Sequence, residues 1–238
     1  MQQLKKRGFT LIEVLITLVI LIFGLLGIAG LMSKGQRVSY EAYQRGQAVT
    51  IASDMAERIR ANRTQALAYA AGAPTTAPVG TGTLYNQLLS NSLPTNNCGT
   101  SNCSTAALVN YDLAQWDGLL LGYPELQATG AAKIGTIIKA RGCIEQTANT
   151  AASCTVSESG HDRTHSDHDD DNHDDEHHQS NVTRAATKFF TRNLRVSVAW
   201  QGNDDTTAPT TSSCGAGLYG AEAKRRVISL DVIVQIQC

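Results

Sequence analysis

Proline, histidine and the motifs of common enzymes are missing from most of this chain. Its 238 residues include five prolines, the first at Pro74, and all six histidines fall between His161 and His178. No Gly-x-Ser-x-Gly, phosphate-binding loop or His-Glu-x-x-His occurs. No aromatic and basic stripe suited to single-stranded nucleic acid is present either. These absences predict a protein that is not an enzyme, requires no cofactor and does not bind nucleic acid.

Charge is almost absent from the first apolar segment. Between Phe9 and Met32 the only ionisable side chain is Glu13, and Lys5, Lys6 and Arg7 precede the segment. A helix of this length can cross a hydrocarbon layer of ~30 Å, and basic flanks favour the cytoplasmic side. The pattern predicts a single-pass membrane segment at 9–32 with the following residues outside the cytoplasm. A carboxylate inside such a segment is a functional hypothesis by default.

The basic leader, the glycine and the run Phe-Thr-Leu-Ile-Glu closely resemble the signal of type IV pilins and type II secretion pseudopilins. The resemblance implies that prepilin peptidase removes residues 1–8 by cutting after Gly8 and that Phe9 is then methylated at its new amine. Glu13 would be the acid that guides a subunit into a filament. The amine would lie one helical turn before Glu13, as an i,i+4 neighbour that neutralises it. An ordinary secretory signal cut near 27–29, or an unprocessed anchor, are the alternatives.

Helical patterning continues beyond Met32 and predicts one helix from about Phe9 to Asn62. Its second half, 33–63, is amphipathic and suits the back of a sheet. The apolar stripe consists of Ala48, Ile51, Ala52, Met55, Ala56 and Ile59. Gly24, Gly27 and Gly30 allow either local bending or close helix packing.

The segment from Asp54 to Arg63 resembles the helix of PilV-type minor pilins, and the stretch 103–116 resembles a short helix of the same proteins. This resemblance implies a subunit that helps initiate pilus assembly and lies in the tip complex at the cell surface, supporting adhesion and twitching motility. The implied partners are other minor pilins, the major pilin and a tip adhesin.

Residues 64–238 are expected to form a globular α+β head. The stretch 72–83 reads as a loop. Val109, Leu113, Trp116 and Leu120 recur at helical spacing, which predicts Trp116 in the core. Period-two alternation predicts an antiparallel sheet with one packed face, packed on the long helix as in the pilin fold. The alternating positions are 134–140, 196–200 and 228–236.

The six cysteines predict disulfides, because the head should lie outside the cytoplasm. They are Cys98, Cys103, Cys143, Cys154, Cys214 and Cys238. Fifteen pairings are possible. The local set is favoured: Cys98 with Cys103, Cys143 with Cys154, and Cys214 with Cys238. Structural zinc is the alternative.

A histidine- and aspartate-rich insert occupies residues 161–178. Its formal charge is −7 with neutral histidines, and it contains no apolar residue with which to fold. A surface insertion, a divalent-metal site or a pH sensor are all compatible with this composition. The metal hypothesis involves His161, His165, His168, His173, His177 and His178.

Three functions therefore follow from the sequence. The favoured one is a minor type IV pilin. A type II secretion pseudopilin shares the first helix and differs in machinery. A pilin-anchored metal-binding module is the third.

Overall fold

The computed structural model describes residues 8–93, 97–123, 137–148, 155–156 and 188–237. Within these described ranges, four α-helices precede four strands. The helices are α1 (Leu11–Ala61), α2 (Ala66–Gly72), α3 (Thr83–Leu89) and α4 (Thr105–Leu121). The strands are β1 (Arg141–Ala148), β2 (Thr155–Val156), β3 (Lys188–Gln201) and β4 (Arg225–Gln237). A long N-terminal helix packed against an antiparallel sheet confirms the predicted pilin-like α+β fold.

Helix α1 contains 51 residues and spans about 76 Å at 1.5 Å per residue. It agrees with the predicted helix to within two residues at either end. Five of the six predicted stripe residues are buried, and Ile51 is partly buried. Gln44, which the stripe did not include, is also buried. The small alanines along this face allow the helix backbone to approach the sheet closely.

Strand β3 lies in the centre of the sheet. β4 pairs with it antiparallel from Phe189 to Gln201, whereas β1 and the two-residue β2 pair with successive parts of its other edge. The outer edge of β1 is covered, because the N–H of Gly142 donates to Val79 and the N–H of Ile144 donates to Ala73. These bonds confirm that the stretch after Gly72 is a loop and show that it lies along the sheet.

The first strand begins later than predicted. Alternation was expected to place it over 134–140, but Ile138 and Lys139 form a turn and β1 starts at Arg141. Lys139 has φ of 51°, which lies in the left-handed region and cannot continue a strand. Residues 134–136 lie outside the described part of the chain.

The main core lies between the sheet, α1 and α4. It includes Met55, Ile59, Trp116, Leu194 and Val196, all essentially inaccessible to solvent. Trp116 is therefore a core residue, as predicted, and its indole N–H donates to the carbonyl of Ile51 at 3.1 Å. This bond fixes the axial position of α4 against α1.

Candidate assembly site

The predicted cleavage site lies in an accessible segment just before α1. Gly8, Phe9 and Thr10 are exposed and non-helical. Thr10 is the N-cap of α1, and its hydroxyl accepts a hydrogen bond from the N–H of Glu13 at 3.4 Å. Because Gly8 and Phe9 precede the cap, the peptide bond between them does not belong to the helix. A protease can therefore reach it without unwinding α1.

Glu13 lies in the first turn of α1, where the N–H groups and the helix dipole favour a negative charge. Its side chain is exposed, and no described residue donates a hydrogen bond to its carboxylate. The carboxylate is thus available to a positive group outside this chain.

The position of Phe9 corrects one detail of the sequence prediction. Helix α1 begins at Leu11, two residues after Phe9, so the i,i+4 relation with Glu13 is not a helical one here. The Thr-x-x-Glu spacing from Thr10 to Glu13 is typical of a capping box. This signal, which the sequence analysis missed, explains why the helix begins after Phe9.

The first 30 residues of α1 contact almost nothing in the described part of the chain. Every residue from Leu11 to Tyr40 is exposed, and Phe23, at 70% exposed, is typical of the apolar side chains here. A soluble protein does not leave an apolar surface of this size uncovered. By length and composition the helix can cross a membrane, so lipid or other subunits must cover it.

An arginine-centred network joins the second half of α1 to α4. The guanidinium of Arg58 donates to Asp54 at 2.8 Å, to Asp112 at 2.8 Å and to Gln115 at 2.7 Å. Tyr69 donates its hydroxyl proton to the other oxygen of Asp112 at 2.5 Å. Both oxygens of this nearly buried carboxylate therefore accept a hydrogen bond.

Electrostatics keep this network charged. Burial by itself lowers the pKa of Arg58, but the hydrogen bonds to Asp54 and Asp112 outweigh it and the net shift is upward. Burial, together with the bond to Asp112, raises the pKa of Tyr69. Both groups hold their protons throughout the neutral pH range, so the hydrogen bonds that they donate between the helices persist there.

Asn62 extends the network at the end of α1. Its amide donates to the carbonyl of Thr105 at 2.7 Å and to the hydroxyl of Tyr69 at 3.3 Å. A second buried acid on α4, Asp117, accepts the N–H groups of Gly80 and Tyr85 at 2.6 and 3.1 Å. The hydrophobic spacing of α4 gave no sign of either buried aspartate.

Two disulfides are present among the described cysteines. Cys98 bonds Cys103, as predicted, and Cys143 bonds Cys214. The predicted pairings of Cys143 with Cys154 and of Cys214 with Cys238 are therefore wrong. β1 and the loop after β3 meet on the sheet face opposite α1, where Cys143 and Cys214 are fully buried beside Ala199. Tertiary contact, not sequence proximity, selects this pair.

The remaining site predictions fall on undescribed residues. Cys154, Cys238 and the six histidines of 161–178 all lie outside the described part of the chain. Within that part, no group of three or more His, Cys, Asp or Glu residues could hold a metal ion. The metal hypothesis for the insert is not tested by this observation.

Two family models match this chain. One, described as the prokaryotic N-terminal methylation motif, matches residues 3–29. The other, described as type IV pilin Tt1218, matches residues 36–114. The chain is thus similar to a type IV pilin over residues 36–114 and carries the methylation motif over residues 3–29. Its role is structural and not enzymatic.

The matched segments coincide with the predicted cleavage site and with the network around Arg58. The first contains Gly8, Phe9 and Glu13, and the second contains Arg58 and Asp112, ending one residue before Gln115. No curated protein and no solved structure matches the chain. The methylation motif and the apolar helix indicate a location in the membrane or the pilus. By the similarity to pilins, the expected partners are prepilin peptidase and other pilus subunits.

Proposed function

We propose that this protein is a minor pilin of the PilV type, which helps initiate filament assembly and lies in the tip complex. Before assembly it is anchored in the inner membrane by residues 9–32, with residues 64–238 in the periplasm. Its partners are other minor pilins, the major pilin and a tip adhesin, and it supports adhesion and twitching motility.

The network around Arg58 carries this proposal. The segment from Asp54 to Arg63 resembles PilV-type proteins, and two of its members, Arg58 and Asn62, hold α1 to α4 in the structure. The resemblance therefore concerns residues that determine how the head sits on its assembly helix. The way the head packs on the second half of α1 determines which neighbouring subunits the head can contact.

The assembly mechanism follows from the geometry of the first turn. Cleavage after Gly8 creates an amine at Phe9, and Glu13 presents an uncompensated carboxylate near that end of α1. In an apolar filament core such a charge is stable only beside an opposite charge. We infer that the amine of a neighbouring subunit compensates Glu13 and fixes the axial stagger between subunits.

The proposal is tested by an in-frame deletion in the native host. A minor pilin predicts loss of surface pili and of twitching, with both restored by the wild-type gene. It also predicts that sheared pili contain the protein at a small fraction of the major subunit, as measured by mass spectrometry. Normal pili with blocked export of a secreted enzyme would instead identify a type II secretion pseudopilin.

Deleting residues 161–178 distinguishes a metal-binding module from a minor pilin. An assembly factor should still support piliation without this insert, and a metal-binding module should not keep its function. Zinc titration of the purified full-length protein, followed by calorimetry and histidine NMR shifts, measures the binding directly.

A further inference from the structure

Strand β4 has one unpaired edge. Its 13 residues pair with β3 along one side over the full length of the strand. No described residue pairs with its other side. β1 differs from β4, because its outer edge is covered by Ala73 and Val79. β4 therefore presents a row of backbone N–H and C=O groups, here called the β4 edge.

The sequence of β4 does not protect this edge. Natural edge strands are usually short or carry proline, lysine or a bulge that prevents pairing with another chain. β4 is long, contains neither proline nor lysine, and pairs with β3 without a register shift. Ile233 on its open face is 64% exposed. Such a strand is a template for the addition of another one.

Helix α1 runs beside the β4 edge and forms a groove with it. Near the start of the strand, Arg226 forms an ion pair with Glu41 at 2.7 Å. Near its end, a cavity of about 290 Å³ is lined by Arg60, Arg63 and residues 233–235. The side chains of successive strand residues point to opposite faces of the sheet. Residues 233–235 can therefore line one cavity together only along their backbone, which means that the cavity lies at the β4 edge.

The groove is positively charged at both ends. Arg63 makes no ion pair with any described residue, and the same holds for Arg45, which lines a second cavity of about 380 Å³ beside Arg226. Arg192 on β3 pairs with Val234 on β4 and adds a third guanidinium near the end of the groove. Its Nε is buried without a hydrogen-bond partner in the described structure. An acidic occupant would complement these charges.

A second copy of β4 fits this groove poorly. The strand carries two arginines, Arg225 and Arg226, and one acid, Asp231. In a symmetric antiparallel pairing, Asp231 at the centre would lie opposite itself, and like charges in that position are destabilising. A strand that lacks this like-charge pair therefore fits the groove better than the equivalent strand of another copy in that register.

We propose that the β4 edge binds an extended acidic segment of a different polypeptide, which adds as a further strand beside β4. Backbone hydrogen bonds would supply affinity, and Arg45 and Arg63 would select acidic side chains at the two ends. The inference goes beyond the proposed minor-pilin role and does not depend on it, because it rests on the sheet and its neighbouring arginines.

The test uses the full-length protein in detergent micelles and a fluorescein-labelled synthetic peptide. The probe has about ten residues, a typical strand length, with glutamate and valine alternating. Saturable binding is followed by fluorescence anisotropy, and amide hydrogen exchange is measured with and without the probe. We expect slower exchange in β4 on binding.

Two charge reversals give a matched comparison. Arg63→Glu, in the groove, should weaken binding about tenfold. Lys34→Glu makes the same charge change on the exposed half of α1, about 16 Å along the helix from Arg45 at the nearer end of the groove. It should leave affinity within about twofold, since this distance exceeds the screening length. Circular dichroism checks that both variants fold. If Arg63→Glu does not fold, Ile233→Glu on the open strand face replaces it, with the same expected weakening, since a carboxylate there repels an acidic occupant.

Several results would overturn the proposal. One is the absence of saturable binding up to about 1 mM probe. Equal binding of a probe whose central valine is replaced by proline would show attraction without strand addition. Tighter binding of a peptide with the sequence of residues 225–237 would identify a second copy as the occupant. Unchanged exchange in β4 would place the probe elsewhere.

Discussion

The two halves of α1 differ in what surrounds them, although they form one continuous helix. From Leu11 to Tyr40 every side chain is exposed. From Gln44 to Ile59 one face is buried against the sheet, while Arg58 and Asn62 bind α4 through hydrogen bonds. The first half is thus built for surroundings that the chain does not provide, and the second half for its own head. Assembly and head stability should respond separately to mutation.

The largest expected effect comes from blocking cleavage with Gly8→Val. A branched side chain at the cleaved position should prevent processing, so the leader would remain and no subunit would enter pili. Intact-mass measurement of the protein from its native host reports the leader directly.

Gly27→Ala is the matched control for this substitution. A Cβ added at Gly27 meets no atom within 4 Å, so the variant should be processed normally. Full incorporation of the Gly8→Val protein into pili would contradict the assembly mechanism.

Removing the charge of Glu13 should abolish most assembly without affecting the head. Glu13→Gln loses the attraction to the amine of a neighbour, and we expect incorporation into sheared pili to fall by about tenfold or more. The measurement is quantitative mass spectrometry of sheared pili, with cleavage after Gly8 verified in the same samples.

Glu57→Gln makes the identical change in the other half of α1. Glu57 pairs with Arg60 on the exposed surface, where an ion pair contributes little. Its incorporation should stay at the wild-type level. Equal losses in the two variants would remove the distinction between the halves.

The disulfides should stabilise the head unequally. Removing Cys143 and Cys214 together by serine substitution should lower the free energy of unfolding by about 4 kcal/mol, because the bond closes a long loop. The Cys98 and Cys103 pair closes a short loop and should contribute about 2 kcal/mol. Urea unfolding of the full-length protein in detergent measures both.

Peptide mapping under non-reducing conditions provides the covalent control. It should recover the Cys98 and Cys143 peptides linked to those of Cys103 and Cys214. With these four residues paired, a third bond within the chain can only join Cys154 to Cys238, and the same experiment detects it.

A smaller loss is expected from Arg58→Met. This change leaves Asp112 without its cation and should cost about 2 to 3 kcal/mol of unfolding free energy, since the pair is partly buried. Arg60→Met, which breaks only an exposed pair, should cost about 0.5 kcal/mol or less. Thermal unfolding of the two proteins should show a clear decrease in Tm for the first alone.

The elements predicted correctly are those with strong local patterns. α1 follows from an uninterrupted apolar run and an alanine and methionine stripe, and β3 and β4 follow from regular alternation. The start of β1 was placed wrongly because alternation at 134–140 says nothing of the backbone at Lys139, whose left-handed φ ends the pattern. Similarly, a capping residue, Thr10, set the start of α1 where hydrophobicity could not.

The site residues divide in the same way. Gly8, Phe9 and Glu13 stand within nine positions of one another, so a linear motif is enough to predict them. The partners of Arg58 lie 54 and 57 residues away. Their contact depends on how α4 packs across α1, and the spacing of charged residues along the chain does not reveal it.

The sequence alone determined that this chain carries a cleavable leader motif, an apolar helix with a single acid and a head with alternating strands, because these are properties of neighbouring residues. Only the tertiary structure decided which cysteines pair, which aspartates are buried and which edge of the sheet remains open. Those outcomes depend on distances between residues far apart in the chain, and they are fixed only when α1, α4 and the sheet pack together.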